Sequence, residues 1–129
     1  MIHHSYSGHV FRPISLPGMA SLWNATQGDP RVVVAVLDGV VDTAHPALRG
    51  ARLTRVPTLV NDAPHPESPM CSHGTHVTSV LFGRSVAGVS GIAPGCGGLL
   101  IPIFPNHGRG PVPQYDVARG IEQAIDLGA

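Results

Sequence analysis

Two residues of this sequence have the chemistry to share a proton. Asp38 ends the aliphatic run RVVVAVLDG at residues 31–39, and His73 lies between two small residues in SHGTHV at residues 72–77. A carboxylate beside an imidazole orients the ring and stabilises the imidazolium once the ring has taken a proton, which is general-base chemistry. Each has a plainer role when taken alone: Asp38 as a turn aspartate before Gly39, His73 as a capping or surface histidine. The pairing is what implies catalysis. His73 and His76, spaced i and i+3, offer a competing metal reading, but the glutamate of H-E-x-x-H is missing and no third ligand is evident. That leaves His76 as a packed, hydrogen-bonded histidine supporting the turn. No G-x-G-x-x-G follows the strand, so a dinucleotide site is not indicated, and neither a metal nor a cofactor is expected.

The elements that must position this pair follow from periodicity and turn chemistry. Residues 32–37 are apolar on both faces, as in a strand at the middle of a parallel sheet covered by helices. A second strand is expected over 53–60, with Pro57 placing it at an edge. Residues 61–70 contain three prolines and read as an exposed loop. A helix is expected over 73–82, capped by Ser72 and stopped by Gly83. Val77, Val80 and Leu81 would face the sheet, and the positive helix end would keep His73 neutral and able to accept a proton. A third strand over 99–104 is again apolar on both faces. The last helix, 114–127, carries Val117, Ala118, Ile121, Ala124 and Ile125 at helical spacing. Ahead of all these, Met19, Leu22 and Trp23 fall on one face of a short helix closed by Gly28-Asp29-Pro30. Strands alternating with helices define an α/β fold with right-handed crossovers, and the carboxyl ends of its strands form the ligand crevice.

Composition narrows the classes of function. The 129 residues suit one domain, with a flexible arm at 1–13 and the folded part at 14–129. Formal charge is zero, and the eight basic residues, all Arg, form neither a run nor a face. Nucleic acid and anionic membrane are therefore not expected partners. His3, His4 and His9 lack carboxylate or thiol companions. The N-terminal residues contain no apolar signal segment and no run is long enough to cross a bilayer, so a cytoplasmic protein is expected. Cys71 and Cys96 make no disulfide framework and read as two free thiols.

Residues 34–48, VAVLDGVVDTAHPAL, together with SHGTHV, resemble the aspartate and histidine motifs of the subtilisin-like serine proteases. GVSGIAP at 88–94 resembles that family's turn into its next strand. The likeness extends to the cyanobactin maturation proteases, through LWxxTxGDP (22–30), LDGxVD, GIAPxCxGLxxPIF (91–104) and AxxIEQA (118–124). The resemblance implies an incomplete subtilisin-like three-layer fold, with a mostly parallel sheet of about three strands and flanking helices. It implies Asp38 and His73 as catalytic residues, and Gly108, Arg109 and Gly110 as a substrate-binding loop for extended peptide or precursor peptide. Gly39 stands where most of the family has Ser or Thr. Calcium is not supported, because Ala47 replaces the usual carboxylate ligand.

The family's nucleophile motif, G-T-S-x-A/P, does not occur in these residues, and none of the three Asn matches the oxyanion-hole context. Ser90 lies in a turn, and Ser72 adjoins His73 in sequence and cannot present its hydroxyl to that ring. The expectation is a serine endopeptidase portion, inactive as an isolated chain. The alternative is a truncated pseudoenzyme acting as a peptide-binding or interaction module through an unpaired strand edge.

Overall fold

The computed structural model of the chain describes residues 15–84, 90–108 and 110–129. The expected N-terminal arm, Arg109, and Gly88 and Val89 of GVSGIAP lie outside the described residues. In chain order the elements are α1 (Met19–Ala25), β1 (Val33–Gly39), a 3-10 turn (Pro46–Leu48), β2 (Arg52–Arg55), α2 (Pro69–Phe82), β3 (Gly97–Phe104) and α3 (Gln114–Asp126). The strands form one parallel sheet in the order β1-β3-β2.

Two apolar layers lie on opposite faces of that sheet, because successive strand residues point to opposite sides. On one face Val34, Val36, Leu53 and Leu100 meet Val77, Leu81 and Phe82 of α2. On the other, Val33, Ala35, Leu37, Leu99, Ile101 and Ile103 pack with Val56 and with Ala124 of α3. This α/β/α arrangement is the incomplete three-layer fold that the sequence implies. Phe82, Ile101 and Cys71 are essentially sealed from solvent. Burying one such phenylalanine contributes about 1.5–3 kcal/mol.

β1 was expected at the middle of the sheet, but among the described strands the centre is β3. Five consecutive residues of β3, from Gly98 to Pro102, are buried, whereas β1 is only half-buried over most of its length. β2 does take an edge, as Pro57 requires, but it stops at Arg55. Val56 still donates to Leu100 O at 2.8 Å, and beyond Pro57 the Thr58 hydroxyl donates to Pro102 O at 2.6 Å. Pro102 has no N–H to give, and the β1–β3 register shifts beside it, between Asp38 and Gly39.

α2 begins four residues before its expected start at 73. Ser68, not Ser72, is its N-cap, with Cys71 N–H at 3.5 Å from Ser68 Oγ. The proline that reads as a breaker occupies the first helical position, where a missing N–H costs nothing. His73 therefore sits in the second turn, and the helix-end argument for its neutrality falls away, since that effect fades beyond the first turn. At the other end of α2, Gly91, Ile92 and Ala93 donate to the carbonyls of Gly83, Val80 and Leu81 at 2.9 Å each. Trp23 Nε1 donates to Ile92 O at 3.0 Å, and Gly95 N to Gln27 O at 2.7 Å. The lead-in and the GIAP segment thus close the helix end together. Met19 is buried, Trp23 half-buried and Leu22 exposed, so only two of the three α1 residues turn inward.

Of the apolar residues of α3 at helical spacing, Ala124 alone is buried. Gly120 and Ala124 are its buried residues, while Ile121 is 49% and Ile125 65% exposed. A Cβ on Gly120 would lie 3.0 Å from Leu37 Cδ2, so the helix comes so near the sheet that a glycine row, not an isoleucine row, faces it.

Candidate active site

Two glycines bring Asp38 and His73 together. A Cβ on Gly39 would run into the backbone carbonyl of Met70, and a Cβ on Gly74 would stand 2.8 Å from Gly39 O. The end of β1 and the first turns of α2 therefore meet backbone to backbone, nearer than any other residue pair would allow. Gly39, the position where the sequence departs from most subtilisin-like proteases, is one half of that contact.

At this junction His73 Nδ1 lies 2.9 Å from Asp38 Oδ1. Gly39 N–H donates to the same carboxylate oxygen at 2.6 Å. The Asp38 side chain is 13% exposed and that of His73 60%. A ring protonated at Nδ1 donates to the carboxylate and leaves Nε2 as an acceptor directed away from Asp38. That arrangement suits removal of a proton from a group approaching the open side of the ring. Thr75 Oγ1 accepts from Asp42 N at 2.9 Å and fixes the loop that follows β1. The sequence had assigned this supporting role to His76. His76 is instead exposed, on the wall of a hollow of about 420 Å³ shared with Asp42, His45, Thr75 and Ser79.

Gly108 and Gly110 lie past the end of β3 on the wall of a second cleft, of about 370 Å³. Leu59, Asp62, Phe104, Val112 and Asp116 also line it, and neither Asp38 nor His73 is in its wall. Arg109 lies outside the described residues. Cys71 and Cys96 are both free and buried. Among the described residues no three His, Cys, Asp or Glu side chains gather as a metal cluster. No helix among them is long and apolar enough to cross a membrane. Sequence reading missed Ser68, Asp62 and Asn106, whose polar contacts join segments far apart in the chain. The one local signal was Ser68-Pro69, a helix-start dipeptide masked by its proline-rich neighbours.

A parallel sheet covered on both faces, with a carboxylate at a strand end and an imidazole on the adjacent helix, defines an α/β architecture with a candidate site at one sheet edge. The Subtilase family model (Peptidase S8) matches residues 29–129, and the chain belongs to that family. It is 33% identical over 128 residues to Subtilisin E of Bacillus subtilis (strain 168), covering 96% of this chain and 32% of the relative. It is 30% identical over 109 residues to Thermophilic serine proteinase of Bacillus sp. (strain AK1), covering 83% and 26%. Among solved structures it is similar to the Prenylagaramide maturation protease PagA, with 45% identity and a TM-score of 0.74, covering 88% of this chain and 38% of that one. The Patellamide maturation protease PatA is 50% identical with a TM-score of 0.64, covering 79% and 35%. The cyanobactin likeness read from the motifs is thereby met. The chain spans about a third or less of the two curated relatives' length.

Proposed function

We propose that Asp38 and His73 are the acid and base of a subtilisin-like serine endopeptidase. The observation that carries this reading is the 2.9 Å approach of His73 Nδ1 to a carboxylate oxygen already fixed by Gly39 N–H. In this role Nε2 of His73 takes the proton from a serine hydroxyl as that oxygen attacks the scissile carbonyl. Asp38 holds the ring in the productive tautomer and stabilises the imidazolium, and the proton then passes to the leaving amine. The substrate is an extended peptide, of the precursor-maturation kind indicated by the PagA and PatA likeness. Gly108, Arg109 and Gly110 form part of its binding loop. The compartment we assign is the cytoplasm, which suits two unpaired buried thiols.

The 129 residues contain no G-T-S-x-A/P motif, so this chain alone does not turn over peptides. The test is a fluorogenic peptide assay on the purified chain with His73→Ala beside it. The expected result is no turnover in either, and turnover abolished by His73→Ala defeats this part of the proposal. The pairing itself is read from the ring nitrogens by ¹⁵N NMR. Asp38→Ala should return the neutral ring of His73 to the Nε2–H tautomer that free imidazole side chains favour.

A second reading rests on β1, whose outer edge has no strand partner among the described residues. Such an edge accepts an added strand, which is the property of a peptide-binding or interaction module. Sequencing past codon 129 separates the two, since a downstream serine motif favours the protease.

A further inference from the structure

The contacts at one buried residue connect the peptide cleft to the proposed acid–base pair. We propose that Asn106 is a positioning residue: it ties the wall of the 370 Å³ cleft to the cap of α2 and thereby keeps His73 at Asp38. Asn106 is 8% exposed and lies in the turn between β3 and Gly108. It meets the 62–68 segment three times. Its main-chain N–H donates to Asp62 Oδ2 at 2.7 Å, its side-chain Nδ2 donates to Ala63 O at 2.8 Å, and its main-chain carbonyl accepts from Ser68 Oγ at 2.8 Å. The rings of His65 and His107 meet edge to face at 5.7 Å across the same junction.

The Ser68 hydroxyl has a single proton. Donating it to Asn106 O fixes the rotor so that the oxygen lone pairs remain for Cys71 N–H, which is the cap of α2. The first turn of α2 in turn has no slack, because the Met70 carbonyl abuts Gly39. Gly39 N–H holds Asp38 Oδ1, and that oxygen meets His73. The path from Asn106 to the dyad thus runs through polar contacts of 2.6–3.5 Å and one backbone packing contact. Asp62 also lines the cleft, so a chain lying there touches the first link directly.

The inference rests on Asp38 and His73 being a coupled pair, and the experiment separates the two. In the isotopically labelled chain, Asp38→Ala sets the full displacement of the His73 ring-nitrogen and Gly39 amide signals. If Asp38→Ala leaves the His73 ring unmoved, the pairing fails and the inference falls with it. With the pairing intact, Ser68→Ala, which removes the link to the Asn106 main-chain carbonyl, should produce at least a third of that displacement; Asn106→Ala, which keeps both main-chain bonds and loses only the Nδ2 bond to Ala63 O, a smaller part; and Ser68→Thr, which restores the hydroxyl, almost none. Asp62→Asn conserves volume and weakens one bond, and it should move both signals in the same direction as Ser68→Ala. The tie is overturned if Ser68→Ala and Asp62→Asn are folded and their changes stay within residues 61–68 and 105–108. Should these variants not fold, hydrogen exchange on the wild-type chain decides. The Asn106, Cys71 and Gly39 amides should exchange within tenfold of one another. An Asn106 amide exchanging more than a hundredfold faster than Gly39 means that the tie opens without disturbing the pair, which refutes the proposal.

Discussion

A carboxylate oxygen that accepts from both a main-chain N–H and an imidazole has few positions left to it. Asp38 Oδ1 is held in this way, and with the side chain mostly buried the two contacts define where the ring of His73 sits. The two residues should therefore respond differently to truncation. His73→Ala removes an exposed ring, and urea unfolding should show a change within about 0.5 kcal/mol. Asp38→Ala leaves the Gly39 N–H without its acceptor and should cost about 1–3 kcal/mol in the same measurement. Elsewhere, the Arg31 guanidinium and N–H hold the Asp29 carboxyl below its ordinary value. A depressed carboxyl stabilises the fold above its unfolded-state value, and that contribution disappears as pH falls through the folded one. Arg31→Ala removes the guanidinium but keeps the main-chain N–H, so the Asp29 midpoint, followed by carboxyl ¹³C shifts, should rise only part of the way to the ordinary range. The pair lies at the surface, so stability near neutral pH should barely change.

At the scale of elements, the junction of β1 and α2 depends on the absence of side chains. Gly→Ala inside a helix normally gains about 1 kcal/mol from propensity. At Gly74 the sign should reverse, because the new Cβ would lie 2.8 Å from the Gly39 carbonyl and neither backbone can yield cheaply. We expect Gly74→Ala to cost about 1–3 kcal/mol by thermal or urea unfolding. Gly120→Ala is the control, since its Cβ would meet the Leu37 Cδ2 methyl at 3.0 Å, a side chain able to move. Its cost should be distinctly smaller. The same elements show what was legible from sequence. Every expected strand and helix exists, because period and turn residues are local signals. The start of α2 was misplaced because a run of prolines resembles a loop until one of them proves to be the first helical residue. Spacing alone did not say which side of α3 is buried, because Ile121 and Ile125 make an apolar stripe as regular as the Gly120 and Ala124 row that packs against the sheet.

For the whole molecule, the sheet is the partition between two separate apolar layers, and Phe82 and Ile101 anchor one each. Phe82→Ala should cost about 3–5 kcal/mol and Ile101→Val about 0.5–1.5 kcal/mol, both read from unfolding midpoints. Because Phe82 ends the helix that carries His73, its loss should also broaden the His73 ring signals, whereas Ile101→Val should leave them sharp.

The sequence alone determined the chemical types and the local frame: an acid after an aliphatic strand, an imidazole on a helix, and motifs matching the subtilase family. These depend on neighbours a few residues apart, where side-chain period and turn chemistry act. Only the tertiary structure decided that β3 occupies the centre, that α3 turns its glycine inward, and that Asn106 reaches Ser68 across 38 residues. Those outcomes depend on which backbones approach most closely once the chain is folded, and that distance is set jointly by residues far apart in sequence.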